Sequence, residues 1–476
     1  MTGFDGFTKQ MTIDEKIEFW RKVMKYAHAR GFEFLLFNWN VFTYGATGKY
    51  GITEKADNPA TITYMRKAMV KLLETYPDLD GFGVTNGENK STQEFLWETY
   101  GKGMYEYAKA NPNRTIRFIH RWHWTTLSNI KKGFDQLLSL PNVLFDMSYK
   151  YSIAHMYSVP TPKKMESDNA VQELRTHKLK TWLTLRNDVM YYHNWGDPAY
   201  ARQYVKGMID LGDDIFRGFY MGSDGYCPTR SYFSKNSVSK GKLEIQRQWY
   251  MYMLWGRLSY NPNTSDDVFQ NQMALRYPSV PTKPLFTAWN KVSSCIPKIT
   301  ELIQGSWTID LLWWLEGCNS KSGFRTIGQF ANCKVADGSS LCTIAKSAAD
   351  SCFGKKSSYQ LADELEVDAL SALEYAKSIQ ADANTELGLA INNIKAMAYM
   401  TVYYAYKIRG ATYLKAKQTE NAKNAMGKAY TWWMKYTNKM SEMYTGMDMQ
   451  RVENLEDWHQ YDGAVLKEFT DLGGVK

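Results

Sequence analysis

Long apolar runs are missing from these 476 residues. No stretch approaches the ~18–20 uninterrupted apolar residues that a membrane span needs. The opening "MTGFDGFTKQMTIDEK" also lacks the apolar core of a secretion signal. Basic residues outnumber acidic ones, giving a net charge of +9. They are nevertheless scattered among Asp and Glu, and no Lys/Arg run resembles a nucleic-acid patch. Histidine is scarce at seven residues. No G-x-G-x-x-G follows a first strand, which argues against a dinucleotide fold. Five of the six cysteines, Cys295, Cys318, Cys333, Cys342 and Cys352, crowd into one polar stretch without neighbouring histidines, which excludes a zinc ribbon. One or two disulfides pinning an irregular insertion account for the cluster, free thiols being the alternative. Disulfides imply work outside the cytosol, extracellular or periplasmic.

Aromatic residues, by contrast, are abundant. They make up 15% of the chain, with 16 Trp and 33 Tyr. Most must fill a core, but indole and phenol faces also stack on the C–H faces of sugars. The mild positive charge suits an anionic partner such as a uronic acid or a sulfated glycan, and a solvated basic surface accounts for it equally well. The length allows a full-sized barrel or sheet domain plus a second module.

Between residues 32 and 223 one pattern repeats: a short β-branched or aromatic run, a polar exit, then an amphipathic helical segment. The runs are "FEFLLFNWN", "DGFGVTNGE", "TIRFIHRWH", "VLFDMSYKY", "KTWLTLRND" and "FRGFYMGSD". Strands alternating with helices predict a parallel sheet buried on both faces, hence an α/β fold. Every run exits into polar or ionisable residues, which in a (β/α)8 TIM-type barrel converge on one rim. The barrel is the expected fold and an open parallel sheet the alternative. Only six strands are visible, and the segment "TIDEKIEFWRKVMKYAHARG" is a helix with no strand ahead of it. The first two βα units of a complete barrel are therefore expected to lie outside this chain.

Past "LEIQRQWYMYMLWGRLSYNP" the pattern turns helical, with Ala, Leu, Met and Tyr at three- and four-residue spacing over 358–380, 384–417 and 420–445. The expected organisation is a barrel domain over 1–262, a Cys-containing connector over 263–355 and a C-terminal helical domain over 356–476. The Met and aromatic stripes of the last are expected to be core.

The polar exits carry the candidate chemistry. Hydrolysis of a glycosidic bond needs two carboxyl groups across the scissile bond and no cofactor or metal. Glu88, just past Asn86 and Gly87, is the candidate general acid, its pKa raised by rings such as Trp39 or Trp122. Its plain structural alternative is capping the next helix. Asp188, beside Arg186 and Asn187, and Asp224, near Tyr226, are candidate bases. Asp146 is set aside, because alternation along "VLFDMSY" separates it from Lys150 or because it is a buried structural carboxylate. His120, Arg121, Lys150 and Arg186 form a cationic set fit to grip a sugar carboxylate, or else charge balance for the aspartates. Metal binding by His120, His123 and Asp188 is disfavoured, since i, i+3 on a strand points the two imidazoles to opposite faces.

The stretches "GFGVTNGENK", "FIHRWHW", "SYKYSIAHMYS", "WLTLRNDVMYYHNWGDPAYARQYVKGM", "GFYMGSDGY" and "YMLWGRLSYNP" together resemble a group of bacterial polysaccharide-locus proteins labelled glycoside hydrolases. That group is distantly similar to the alpha-glucuronidases of glycoside hydrolase families 67 and 115. The resemblance implies a secreted inverting enzyme of polysaccharide degradation, with Glu88 as acid, Asp188 or Asp224 as base, and basic residues reading a uronate. A carbohydrate substrate, no nucleic acid and no membrane span are the expected partners. A carbohydrate-binding protein on a degenerate barrel, keeping the aromatic and basic rim without chemistry, is the competing class.

Overall fold

The structure is a computed structural model that describes residues 10–38, 41, 43–86, 92–150, 159–161, 163, 165, 169–186, 193–222, 234–303, 306, 324–444 and 457–475. Its chain divides into two compact units. The first holds residues 1–150, 169–183 and 212–219, and the second holds 151–168, 184–211 and 220–476.

All six apolar runs are strands: β1 (Leu35–Asn38), β2 (Gly81–Thr85), β3 (Ile116–Trp122), β4 (Val143–Lys150), β5 (Lys180–Arg186) and β6 (Phe216–Gly222). They line up as β1-β2-β3-β4-β5-β6 in one sheet, with β1 to β4 paired in parallel register. A doubly wound sheet reverses its order at a switch point, whereas this order never reverses, as in the wall of a TIM-like barrel. Helices supply the crossovers. Helix α1 (Ile13–His28) starts at Thr12, whose hydroxyl accepts from Glu15 N while Glu15 answers the Thr12 amide, closing a capping box. Helix α2 (Pro59–Thr75) starts at Asn58 with Pro59 in its first turn, and the helix 198–209 repeats the device with Asp197 and Pro198.

In the first unit the two faces of the sheet are filled differently. Toward the helices Phe118 stacks on Phe145 at 5.4 Å and packs against Phe134, and Phe82 stacks on Tyr100. On the other face β2 offers Gly81 and Gly83. A Cβ on Gly83 would stand 2.2 Å from the Phe37 ring, so only glycine lets that ring lie against β2.

The second unit is mostly helical. Its long helices 358–378, 386–415 and 419–443 match the segments expected from periodicity. Helix 386–415 packs against both of the others, and Met397, Met400, Tyr403, Tyr404, Met426, Trp433, Tyr436 and Met440 are all buried. The Met and aromatic stripes are core, as their spacing predicts. Lys407 is buried with them. Its ammonium donates to the Arg325 carbonyl at 2.6 Å and to Tyr403 at 3.1 Å, lies 3.3 Å from Glu468, and faces the Phe324 ring at 4.3 Å. Cys342 and Cys352 form a disulfide, whereas Cys295 and Cys333 are buried thiols. Among the described residues no helix is long and apolar enough to cross a membrane.

Candidate active site

The lower half of the sheet holds a charged cluster. Asp146, 1% exposed, accepts from Arg117 Nη1 and, at 3.1 Å, from Trp182 Nε1 on one oxygen, and from Arg217 Nε at 3.3 Å on the other. Glu33 lies 3.3 Å from Arg117 Nε, so two guanidinium groups meet two carboxylates. Arg117, Trp182 and Arg217 sit early in β3, β5 and β6, and Glu33 precedes β1, which places the cluster toward the N-terminal ends of the strands. Asp146 is thus the buried structural carboxylate weighed above. Alternation is not the reason, since positions 146 and 150 are four apart and share strand parity. Donor saturation is the reason: three donors engage both oxygens of this buried carboxylate, so neither is free to lend to chemistry.

Toward the C-terminal ends the register sets Thr85 beside Arg121 and Arg121 beside Ser148. All three are buried, and Arg121 Nη1 approaches Thr85 Oγ1 at 3.5 Å. The row lies on the face of the sheet away from the helices, and its β2 member stands three residues before Glu88 in the chain.

His120 lies on the opposite side of β3 from Arg121. Its ring packs edge-on against Phe134 at 5.3 Å, facing the helices. The hydrogen bonds there fix its state: Asn86 Nδ2 donates to Gln93 Oε1 at 3.2 Å, Gln93 Nε2 donates to His120 Nε2 at 3.1 Å, and His120 Nδ1 donates to the Arg121 carbonyl at 2.9 Å. This relay assigns the tautomer with the proton on Nδ1. Full burial lowers the imidazole pKa to about 4, the Arg121 carbonyl opposing that shift. His120 is therefore a neutral positioning group that ties the end of β2 to the helix at 93–96. The cationic set divides at this point: Arg121 keeps a charge on the inner face, and His120 neither carries one nor shares that face.

Trp122 is half-buried, tilts against Tyr149 at 5.3 Å and donates Nε1 to the Thr125 carbonyl at 3.2 Å. Lys150 and Arg186 are the last residues of β4 and β5, described as backbone only. Trp39, Glu88, Asn187, Asp188, Asp224 and Tyr226 lie outside the described residues. Reading the strand ends missed Gln93, whose carboxamide joins Asn86 to His120. The signal was available, because a Gln just inside a helix start faces back toward the preceding strand end. It also missed the Thr85–Arg121–Ser148 row, which needs the pairing register.

No family model matches this chain, and no curated protein matches it by sequence. Among solved structures the fold matches that of a protein described as a GH138 enzyme targeting pectin rhamnogalacturonan II. The TM-score is 0.78 at 14% identity, over 98% of this chain and 72% of the other. At that identity the likeness establishes the architecture: an α/β, TIM-like barrel wall followed by a helical region.

Proposed function

We propose that this chain is a glycoside hydrolase of polysaccharide degradation acting at an anionic, uronic acid residue by an alpha-glucuronidase-like inverting mechanism. The observation that carries the reading is a likeness, over nearly the full chain, to the fold of an enzyme that targets a pectic polysaccharide. The buried Thr85–Arg121–Ser148 row supports the anionic part, because a guanidinium at the strand ends is suited to a bidentate grip on a sugar carboxylate.

In this mechanism Glu88 is protonated and gives its proton to the glycosidic oxygen as the bond to the anomeric carbon breaks. Asp188 or Asp224 takes a proton from a water that attacks that carbon from the opposite face, so the product's anomeric configuration inverts. Inversion requires the two carboxyl groups to stand roughly 6.5–9.5 Å apart, against about 5–5.5 Å for retention. The Cys342–Cys352 bond supports export to an extracellular or periplasmic setting.

The experiment is hydrolysis of aryl and oligomeric uronides by the parent and by Glu88→Gln, with the first-formed anomer read by NMR. Loss of a general acid is expected to cost ~10²–10⁴-fold, and more for poor leaving groups. Equal turnover by both proteins removes Glu88 from the mechanism. Uronide binding without turnover by the parent favours the binding-protein class, and a retained anomer removes inversion.

A further inference from the structure

The connection between β1 and α2 contains a feature that folding alone does not require. Its segment "TGKYGI" turns through three left-handed residues, Gly48 (φ 82°), Tyr50 (φ 53°) and Gly51 (φ 76°). Two are glycines, for which such angles are ordinary, but a bulky L-residue adopts them only under strain. Tyr50 repays none of that strain through burial, since it is 92% exposed. Strain without a packing return marks a side chain held for presentation.

What Tyr50 is presented to lies beside it. The same connection and the first turns of α2 border an open surface hollow of about 630 Å³, lined by Thr43, Ile52, Tyr64, Lys49 and Tyr50 among others. Thr43 and Ile52 are buried and give it a fixed floor, with Thr43 hydrogen-bonded to Thr47 at 2.6 Å. Tyr64 offers a second partly exposed phenol, and Lys49 is exposed with no ion pair among the described residues. The volume falls within the range of small-ligand sites. Because the connection follows the C-terminal end of β1, the hollow belongs to the edge of the sheet where barrel enzymes bind their substrates. The device recurs on that edge: Trp124, in the connection after β3, is 75% exposed at φ 58°. Phe353 is also exposed at positive φ, but it sits beside the Cys342–Cys352 bond in the other unit.

We propose that the hollow lined by Lys49, Tyr50 and Tyr64 is a subsite for an acidic sugar remote from the scissile bond, with the Tyr50 ring stacking on the sugar face and Lys49 binding its carboxylate. The proposal rests on the carbohydrate reading above and deepens it. Apolar C–H faces suit exposed phenols, and a unit with one negative charge suits an ammonium that has no ion pair among the described residues.

The test is calorimetric titration of the full chain with tetragalacturonic acid and with its carboxyl-reduced, neutral counterpart. Tyr50→Gly removes the ring and relieves the strained backbone together. It is expected to leave the melting temperature unchanged or raise it, while weakening the acidic tetramer about tenfold. Lys49→Ala is expected to weaken the acidic tetramer about tenfold and the neutral one far less. Equal affinity of parent and Tyr50→Gly, or no binding by the parent, overturns the subsite, and equal losses on both tetramers overturn the role of Lys49. Failure here is distinct from failure of the hydrolase reading. Cleavage of an aryl uronide with tetramer binding indifferent to Tyr50 removes the subsite alone, whereas Tyr50-dependent binding with no uronide cleaved removes the hydrolase alone.

Discussion

The two ends of the sheet in the first unit obey opposite rules. At the N-terminal end charge is consumed locally, with Asp146 holding three donors and Arg117 and Arg217 meeting Asp146 and Glu33. At the C-terminal end polar groups are instead arranged in a relay and a row. A neutral relay fixes Asn86 and His120, Arg121 sits in a buried polar row, and Lys49 and Tyr50 stand exposed on a strained loop. The first arrangement makes a floor, and the second gathers polar groups at the edge where a barrel keeps its site. Barrel enzymes divide stability and function in this way, and the contrast lets one fold carry both.

The comparison breaks most visibly at Asp146. Asp146→Ala takes from the buried Arg117 guanidinium its buried carboxylate, leaving it only the exposed Glu33, and breaking a buried pair of this kind costs about 3–5 kcal/mol. Urea unfolding that shows a loss below about 1 kcal/mol would mean the floor is not what holds this end together.

A smaller effect tests the other end through pH. The His120 pKa falls from 6.5 unfolded to about 4 folded, so the unfolded chain takes up the proton first as pH drops. The stability this neutral histidine contributes is complete above about pH 6.5 and is lost down to about pH 4, by roughly 3 kcal/mol. Asp197, pushed up to about 6 by burial, and His193, lowered to about 3 by burial, titrate over overlapping ranges with effects of opposite sign. The readout is therefore the difference between parent and His120→Gln. That difference should shrink as pH falls from 7 to 4.5, and a constant difference would mean the imidazole is not held neutral.

The Cys342–Cys352 bond closes a short loop in the second unit, and replacing both cysteines with serine is expected to cost about 2–3 kcal/mol, read by thermal melting without reductant. The smallest effect sharpens the contrast between consumed and spare charge. Lys49→Ala should change stability by no more than about 0.5 kcal/mol, since no carboxylate among the described residues depends on it. A larger loss would make Lys49 part of the fold.

Much of the architecture was legible beforehand. All six strands and the three long C-terminal helices follow from periodicity, because apolar spacing is a local property of the chain. The face on which a rim residue lies is a different matter. "FIHRWH" shows two adjacent cationic side chains, and the sheet separates them, one neutral against Phe134 and one charged beside Thr85. Strand parity predicts the separation, but the residue types alone suggested a single grip. The partners of Asp146 come from β3, β5 and β6, up to 71 residues away, and only tertiary structure brings them to one carboxylate. Tyr50 went unremarked because its signal is a backbone angle, hinted at only by the flanking glycines.

The division of labour between the ends is tested most directly by measuring turnover of an aryl uronide and melting temperature side by side for the parent, Glu88→Gln and Asp146→Asn. The account predicts that Glu88→Gln melts with the parent and loses ~10²–10⁴-fold in turnover, whereas Asp146→Asn melts lower and keeps its turnover while folded. Parental turnover in Glu88→Gln, or a catalytic loss in folded Asp146→Asn as large as that expected for Glu88, would contradict it.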